Sequence, residues 1–211
     1  MAKDTANVLE LAVLGLLSES PMHGYELRKK LSTTLGTFRA FSFGSLYPSL
    51  RRLLGDNLIT EEALPIDLDA VPLTSRRSRV VYRLTAEGKE RLVTLLGDAG
   101  PQSWSDDGFG VHLAFFSRTP SAVRMRILEG RRRRVEERRE GQRNAVERAT
   151  DRLDRYTQEL QQLGLEATER EVRWLNELIA HEQAESDPDP PGPGGTSPPP
   201  SPSSSAKKRR R

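Results

Sequence analysis

The sequence contains no cysteine, and its three histidines, His23, His112 and His181, are scattered over 211 residues. Without cysteine there is no disulfide framework, no thiolate zinc site and no thiol nucleophile. The histidines form no metal-ligand spacing, and there is neither a phosphate-cradling glycine loop nor a serine-centred elbow. No enzymatic activity, metal or cofactor is therefore expected. Long apolar runs are also missing. The longest, residues 11–17, falls far short of the roughly 18 residues that a membrane span needs. The opening Met1-Ala2-Lys3-Asp4 starts no signal-peptide pattern. A soluble cytoplasmic protein with no membrane partner is expected.

Charge of one sign is scarce as well. Thirty-three basic side chains face 30 acidic ones, a net charge of +3. Residues 187–211 hold five basic and two acidic side chains, so they carry the whole excess and the rest of the chain balances. A case for nucleic acid must therefore rest on where the cations stand, not on their sum.

Proline, glycine and serine mark the boundaries. Residues 187–206 are mostly these three and offer almost nothing apolar to bury, so a disordered tail is expected. Residues 97–108 are dense in turn formers and read as a hinge. The expected layout is a first domain over 1–96, the hinge over 97–108, a helical domain over 109–186 and the tail over 187–211. The tail ends in Lys207, Lys208, Arg209, Arg210 and Arg211. They are either a tethered phosphate binder or a solubilising terminus.

In the first domain, Asn7 reads as the cap of a helix to Ser18. Its residues are so uniformly apolar that it belongs in the middle of a core. A turn at Ser20-Pro21-Met22-His23-Gly24 leads to a second helix, with Leu27, Leu31 and Leu35 on one face. A third carries Leu46, Leu50 and Leu53 on one side. On the other stand Gly44, Pro48, Arg51 and Arg52, with Ser45 and Tyr47 at the flanks. Leu58-Ile59-Thr60 and Val80–Leu84 read as two strands of a hairpin. Arg76, Arg77 and Arg79 lie in the loop between them. Thr85 caps a fourth helix, residues 86–96. Three helices, a hairpin with a basic tip and a helix make a winged helix-turn-helix.

Such a third helix suits a duplex. Small residues at its start let the backbone approach a groove, and its arginines pair with guanine or phosphate. The plain alternative is an amphipathic surface helix with two solvated arginines. For the loop arginines the choice is likewise between phosphate or minor-groove contact and a solvated loop.

Pro21-Met22-His23-Gly24-Tyr25-Glu26-Leu27, Phe43-Gly44-Ser45-Leu46-Tyr47-Pro48-Ser49-Leu50-Arg51-Arg52-Leu53, Leu58-Ile59 and Tyr82-Arg83-Leu84-Thr85-Ala86-Glu87-Gly88, at this spacing, resemble the PadR family of bacterial winged-helix transcriptional regulators. The resemblance covers residues 8–96. It implies a homodimer, usually a repressor released by a small effector, with the C-terminal helices making the dimer. Carried over by position, it makes Tyr25, Ser45, Tyr47, Pro48, Arg51 and Arg52 DNA-proximal, together with Arg76, Arg77 and Arg79. Gly44 joins them from the helix reading above. This wing is long, with residues 64–69 preceding its arginines.

In the second half, Thr119-Pro120 opens a helical pattern running to about Leu163 and ended by Gly164. Val146, Ala149, Leu153, Tyr156, Leu160 and Leu163 form an a/d seam. Thr168-Glu169-Arg170-Glu171 reads as a capping box opening a last helix, which offers Val172, Leu175 and Ile179. The seam residues together with Leu175 and Ile179 are the expected dimerisation set. Arg131-Arg132-Arg133-Arg134 sits among glutamates, so i, i+4 pairs Arg132–Glu136 and Arg133–Glu137 on a solvated helix are expected. Trp104, Phe109, Phe115, Phe116 and Trp174 either line an effector pocket or pack the two domains together.

The expected fold is therefore mainly α with a small β-hairpin: a winged helix-turn-helix followed by a coiled-coil-like helical domain. The expected function is sequence-specific binding of double-stranded DNA by a homodimeric repressor at a palindromic operator, with a possible small-molecule effector. The alternative is a protein-interaction module that binds no specific DNA.

Overall fold

The computed structural model describes residues 2–35, 43–63, 80–149 and 154–186. These form helix α1 (Ala2–Leu17), strand β1 (Met22–His23), α2 (Gly24–Leu35), α3 (Phe43–Gly55), β2 (Ile59–Ala63), β3 (Val80–Leu84), α4 (Ala86–Leu96), α5 (Phe109–Ala114), α6 (Ser121–Ala149) and α7 (Arg155–Ser186). A 3-10 turn, Phe116–Arg118, joins α5 to α6. Among the described residues no helix is long and apolar enough to cross a membrane. The basic wing tip with Arg76, Arg77 and Arg79, the preceding residues 64–69 and the tail lie outside the described residues, as does Leu153.

Helix α1 is buried on nearly every side, because α2, α3, α4 and α5 all pack against it. Val8, Leu9, Leu11, Val13, Leu14, Leu16 and Leu17 are core residues. The helix begins at Ala2, so Asn7 lies within it and is not its cap. Leu27, Leu31 and Leu35 of α2 and Leu46, Leu50 and Leu53 of α3 close the core from the other side. The hairpin gains a third strand. Met22 pairs with Tyr82 and His23 with Val81, giving the antiparallel order β1-β3-β2. The segment read as a turn is thus a two-residue strand, too short for any period-two pattern to reveal it.

Thr85 caps α4 as expected: its hydroxyl accepts from the Gly88 N–H at 2.9 Å. The same hydroxyl donates to the Asn57 carbonyl at 2.8 Å, and Asn57 has φ 55°. The start of β2 and the start of α4 are thereby tied together.

Helix α5 serves two cores. Val111 and Phe115 enter the winged-helix core, where the Phe115 ring fills the space a side chain at Gly15 would need. Phe109 enters a second core with Ile127, Leu128, Val135, Val172, Leu175 and Ile179, held between α6 and α7. His112, also on α5, is buried, and its Nδ1 has no hydrogen-bond partner among the described residues. Burial pulls its pKa down to about 4, against a weaker opposing pull from Asp98. In the unfolded chain the ring titrates near 6.5. Stability is therefore complete above about pH 6.5 and falls as pH drops towards 4, by roughly 3 kcal/mol in all. Urea midpoints across that range should show this loss, and His112→Leu should flatten it.

The helical half corrects three readings. The seam does not run along one helix: α6 ends at Ala149 and α7 starts at Arg155. Asp154 caps α7, accepting from the N–H groups of Tyr156 at 3.0 Å and Thr157 at 3.2 Å. Gly164 ends nothing. It sits inside α7, and a Cβ there would lie 3.4 Å from Gln142 Nε2 on α6. Thr168, read as a cap, is also internal: its hydroxyl bonds the Gly164 carbonyl and Gln142 Oε1, both at 2.8 Å.

Candidate nucleic-acid interface

Helix α3 presents the face that its sequence spacing requires. Leu46, Leu50 and Leu53 are buried, Gly44, Tyr47, Pro48, Arg51 and Arg52 are exposed, and Ser45 is half-buried between them. Pro48 lies inside α3, where it removes one intrahelical hydrogen bond, and the helix nevertheless runs on to Gly55.

The start of α2 lies against this helix. A Cβ at Gly24 would fall 3.4 Å from Tyr47 Cε1 and 3.5 Å from Tyr82 Cε2, so both tyrosine rings pack against the start of α2. Glu26 turns back to accept the His23 N–H at 2.7 Å. His23 Nδ1 lies 3.0 Å from the Val80 carbonyl, which places a proton on that nitrogen. The exposed Tyr25 ring stacks on the His23 imidazole, centroids 5.6 Å apart. Burial, then Glu61 and Tyr47, push the Tyr82 hydroxyl pKa up, so it stays a neutral donor. Tyr25 and Tyr47 are both exposed, Tyr25 at the start of α2 and Tyr47 on α3.

The two arginines of α3 differ. Arg51 makes no hydrogen bond or ion pair with any described residue. Arg52 turns inward, and its Nη1 lies 2.8 Å from Glu10 Oε2 on α1. Glu10 is 2% exposed, and its other oxygen takes Arg91 Nε of α4 at 2.6 Å. Sequence reasoning missed this triad, although it left a signal. A lone glutamate inside the apolar run of α1 needs cations to be buried at all.

The Arg131–Arg134 run is built into the helical half. Arg131 is buried, paired with Asp106 and Glu171 at 2.6 Å each, and its guanidinium stands 5.3 Å over the Phe109 ring. Arg134 and Arg138 join it on Asp106. Asp106 is held well below the usual carboxylate range by its bonds to Arg138 and Arg131, which outweigh the cost of its burial. The expected pairs Arg132–Glu136 and Arg133–Glu137 do not form, because the charges that matter come from the hinge and from α7 instead.

The five aromatics do not share a cavity. Trp104 covers Gly130, where a Cβ would lie 2.6 Å from the ring, and Phe109 meets Trp174 edge-on at 6.2 Å. Phe116 lies in the second core, so packing accounts for these four. Phe115 borders a cleft of about 700 Å³ with Leu16, Met22, Tyr25, Lys29 and Thr33. Of the dimerisation set, Leu175 and Ile179 are buried against α6 of the same chain, and Val146 is half-buried. Tyr156, Leu160 and Leu163 are 84%, 68% and 64% exposed. The side chain of Ala149 is outside the described residues.

Among known proteins, the profile described as the transcriptional regulator PadR-like family matches residues 13–94. The negative transcriptional regulator PadR of Bacillus subtilis (strain 168) is 28% identical over 85 residues, 40% of this chain and 43% of that protein. The chain therefore matches less than half the length of that relative. The structure of Bacillus subtilis PadR in complex with operator DNA aligns with a TM-score of 0.40 at 21% identity, covering 83% of this chain and 99% of that one. That of smu.1604c from Streptococcus mutans UA159 aligns with a TM-score of 0.39 at 26% identity, covering 81% and 98%. The His-Gly-Tyr-Glu turn, the Tyr47–Arg52 face and the Thr85–Gly88 cap all fall inside the matched segment, so it is over residues 13–94 that the chain is similar to the PadR-like transcriptional regulators.

Proposed function

We propose that the chain is a homodimeric repressor that binds a palindromic operator, with α3 in the major groove and the wing on the backbone or in the minor groove. The carrying observation is the outer face of α3. It offers small residues at its start and, about two turns later, an arginine with no hydrogen bond or ion pair among the described residues, with Tyr47 exposed on the same helix. The family's function and the name of the Bacillus subtilis relative, a negative regulator, support repression. The test is gel retardation on the protein's own upstream region, a common target for such regulators. A discrete complex on that fragment and none on a scrambled one is the expected result. No specific complex would favour the protein-interaction module.

The dimer reading is supported by the outer stripe of α7. Tyr156, Leu160 and Leu163 recur at heptad spacing and are exposed, covered by none of the described residues of their own chain. An exposed apolar stripe of this kind calls for a partner. A second copy also supplies the second recognition helix that a palindrome needs. Leu160→Asp with Leu163→Asp should convert the dimer to a monomer in light scattering and sharply weaken operator binding. Each chain should keep its helicity, because neither residue packs inward.

A small effector is proposed for the cleft between α1, α2 and α5. Its floor is apolar at Leu16, Met22 and Phe115, and Tyr25 lies on its rim. An occupant would bear on Tyr25, whose ring stacks on His23 at the start of α2.

A further inference from the structure

We propose that Glu10 is a positioning residue that withholds Arg52 from nucleic acid, so that Arg51 is the α3 cation that reaches the duplex. The inference rests on the reading that α3 faces DNA, and it sharpens which residues of that face act. By helical spacing Arg51 and Arg52 are equivalent: each stands about 130° from the buried direction set by Leu46, Leu50 and Leu53, one on either side. Burial does not separate them, since both are exposed. Their partners do.

Arg52 reaches back along the α1 flank of α3 to a carboxylate that is 2% exposed, while its own side chain keeps 41% of its surface. Arg91 approaches the same carboxylate from α4. One buried charge thus holds two arginines from two helices. Swinging Arg52 out to a phosphate would leave Glu10 with Arg91 alone, and a buried carboxylate that loses a partner is costly. A solvated phosphate on the duplex surface has to overcome that cost before Arg52 contributes anything. Arg51 has no such tie among the described residues. Glu10 therefore decides which arginine carries the contact, and it also clamps α3 and α4 to α1.

The two roles of Glu10 predict opposite changes. A clamp alone makes its loss weaken DNA binding through loosened packing. A withholding residue makes its loss add a phosphate contact. The experiment measures binding of the full chain to a labelled random-sequence duplex across a salt series, with helicity and thermal midpoint recorded for each variant. Each phosphate contact changes the slope of log affinity against log salt by about 0.9. Arg51→Gln should flatten the slope by about that amount, and Arg52→Gln should leave it unchanged while lowering the thermal midpoint. Glu10→Gln should steepen it by about 0.9, and adding Arg52→Gln to it should restore the native value. Should Glu10→Gln fail to fold, the comparison of Arg51→Gln with Arg52→Gln decides alone. If Arg52→Gln flattens the slope as much as Arg51→Gln, the inference is overturned while the reading of α3 stands. If the native chain shows no salt-dependent duplex binding, both fall together.

Discussion

Arg51→Ala should cost roughly 1–3 kcal/mol of duplex affinity, a loss of about five- to 150-fold. The thermal midpoint should not move, because Arg51 makes no hydrogen bond or ion pair with any described residue. Fluorescence anisotropy on operator variants separates two modes of contact. If Arg51 reads a base, the loss is confined to the fragment carrying that base and preference at that position relaxes. If it binds phosphate, all sequences weaken alike and the salt slope flattens by about 0.9. Unchanged affinity on every sequence would remove α3 from the interface. Arg52→Ala is the paired control. It opens the Glu10 triad, so it should show mainly as lost stability.

Gly88→Ala should be among the most destabilising single substitutions in the winged helix. An added Cβ would collide with the carbonyl oxygen of Leu58 and come within 2.7 Å of Leu84 Cδ1. Leu58 has little room to yield. Its carbonyl accepts the Thr85 N–H at 3.2 Å, and the neighbouring Asn57 carbonyl accepts the Thr85 hydroxyl. Alanine gains about 1 kcal/mol of helix propensity over glycine. A backbone clash in a tied corner outweighs that, and a net loss of about 2–4 kcal/mol follows. Calorimetry should show the thermal midpoint falling by about 10 °C. An unchanged or higher midpoint would mean that the corner gives way easily, contrary to its hydrogen bonding.

Much of the winged helix is legible in the residues alone. The spacing of Leu46, Leu50 and Leu53 predicts the buried face of α3, and Thr85 followed by Gly88 predicts the start of α4. Both are local signals, a period and a cap, and the structure keeps both. Readings that depend on long-range pairing fail. Met22 and His23 become a strand because β3 passes beside them, and no two-residue pattern could announce that. Arg51 and Arg52 look alike until the fold brings Glu10, some forty residues upstream, beside one of them. The seam from Val146 to Leu163 keeps heptad spacing across a break, so periodicity predicts one helix where there are two. The missed signal was Asp154, whose carboxylate bonds Tyr156, Thr157 and the Thr157 hydroxyl as a helix cap does. Gly164 read as a stop because glycine often ends helices. Here it sits inside α7, where its carbonyl accepts the Thr168 hydroxyl as part of the helix interior.

The most direct test of a DNA-reading α3 is the ratio of affinities for the protein's own upstream fragment and for a scrambled fragment of the same composition, measured across a salt series. The account predicts a ratio well above one that persists as salt rises and the scrambled fragment lets go, with two chains bound per site. It also predicts that Arg51→Ala lowers affinity for the upstream fragment. Equal affinity for both fragments at every salt concentration, unaffected by Arg51→Ala, would contradict it.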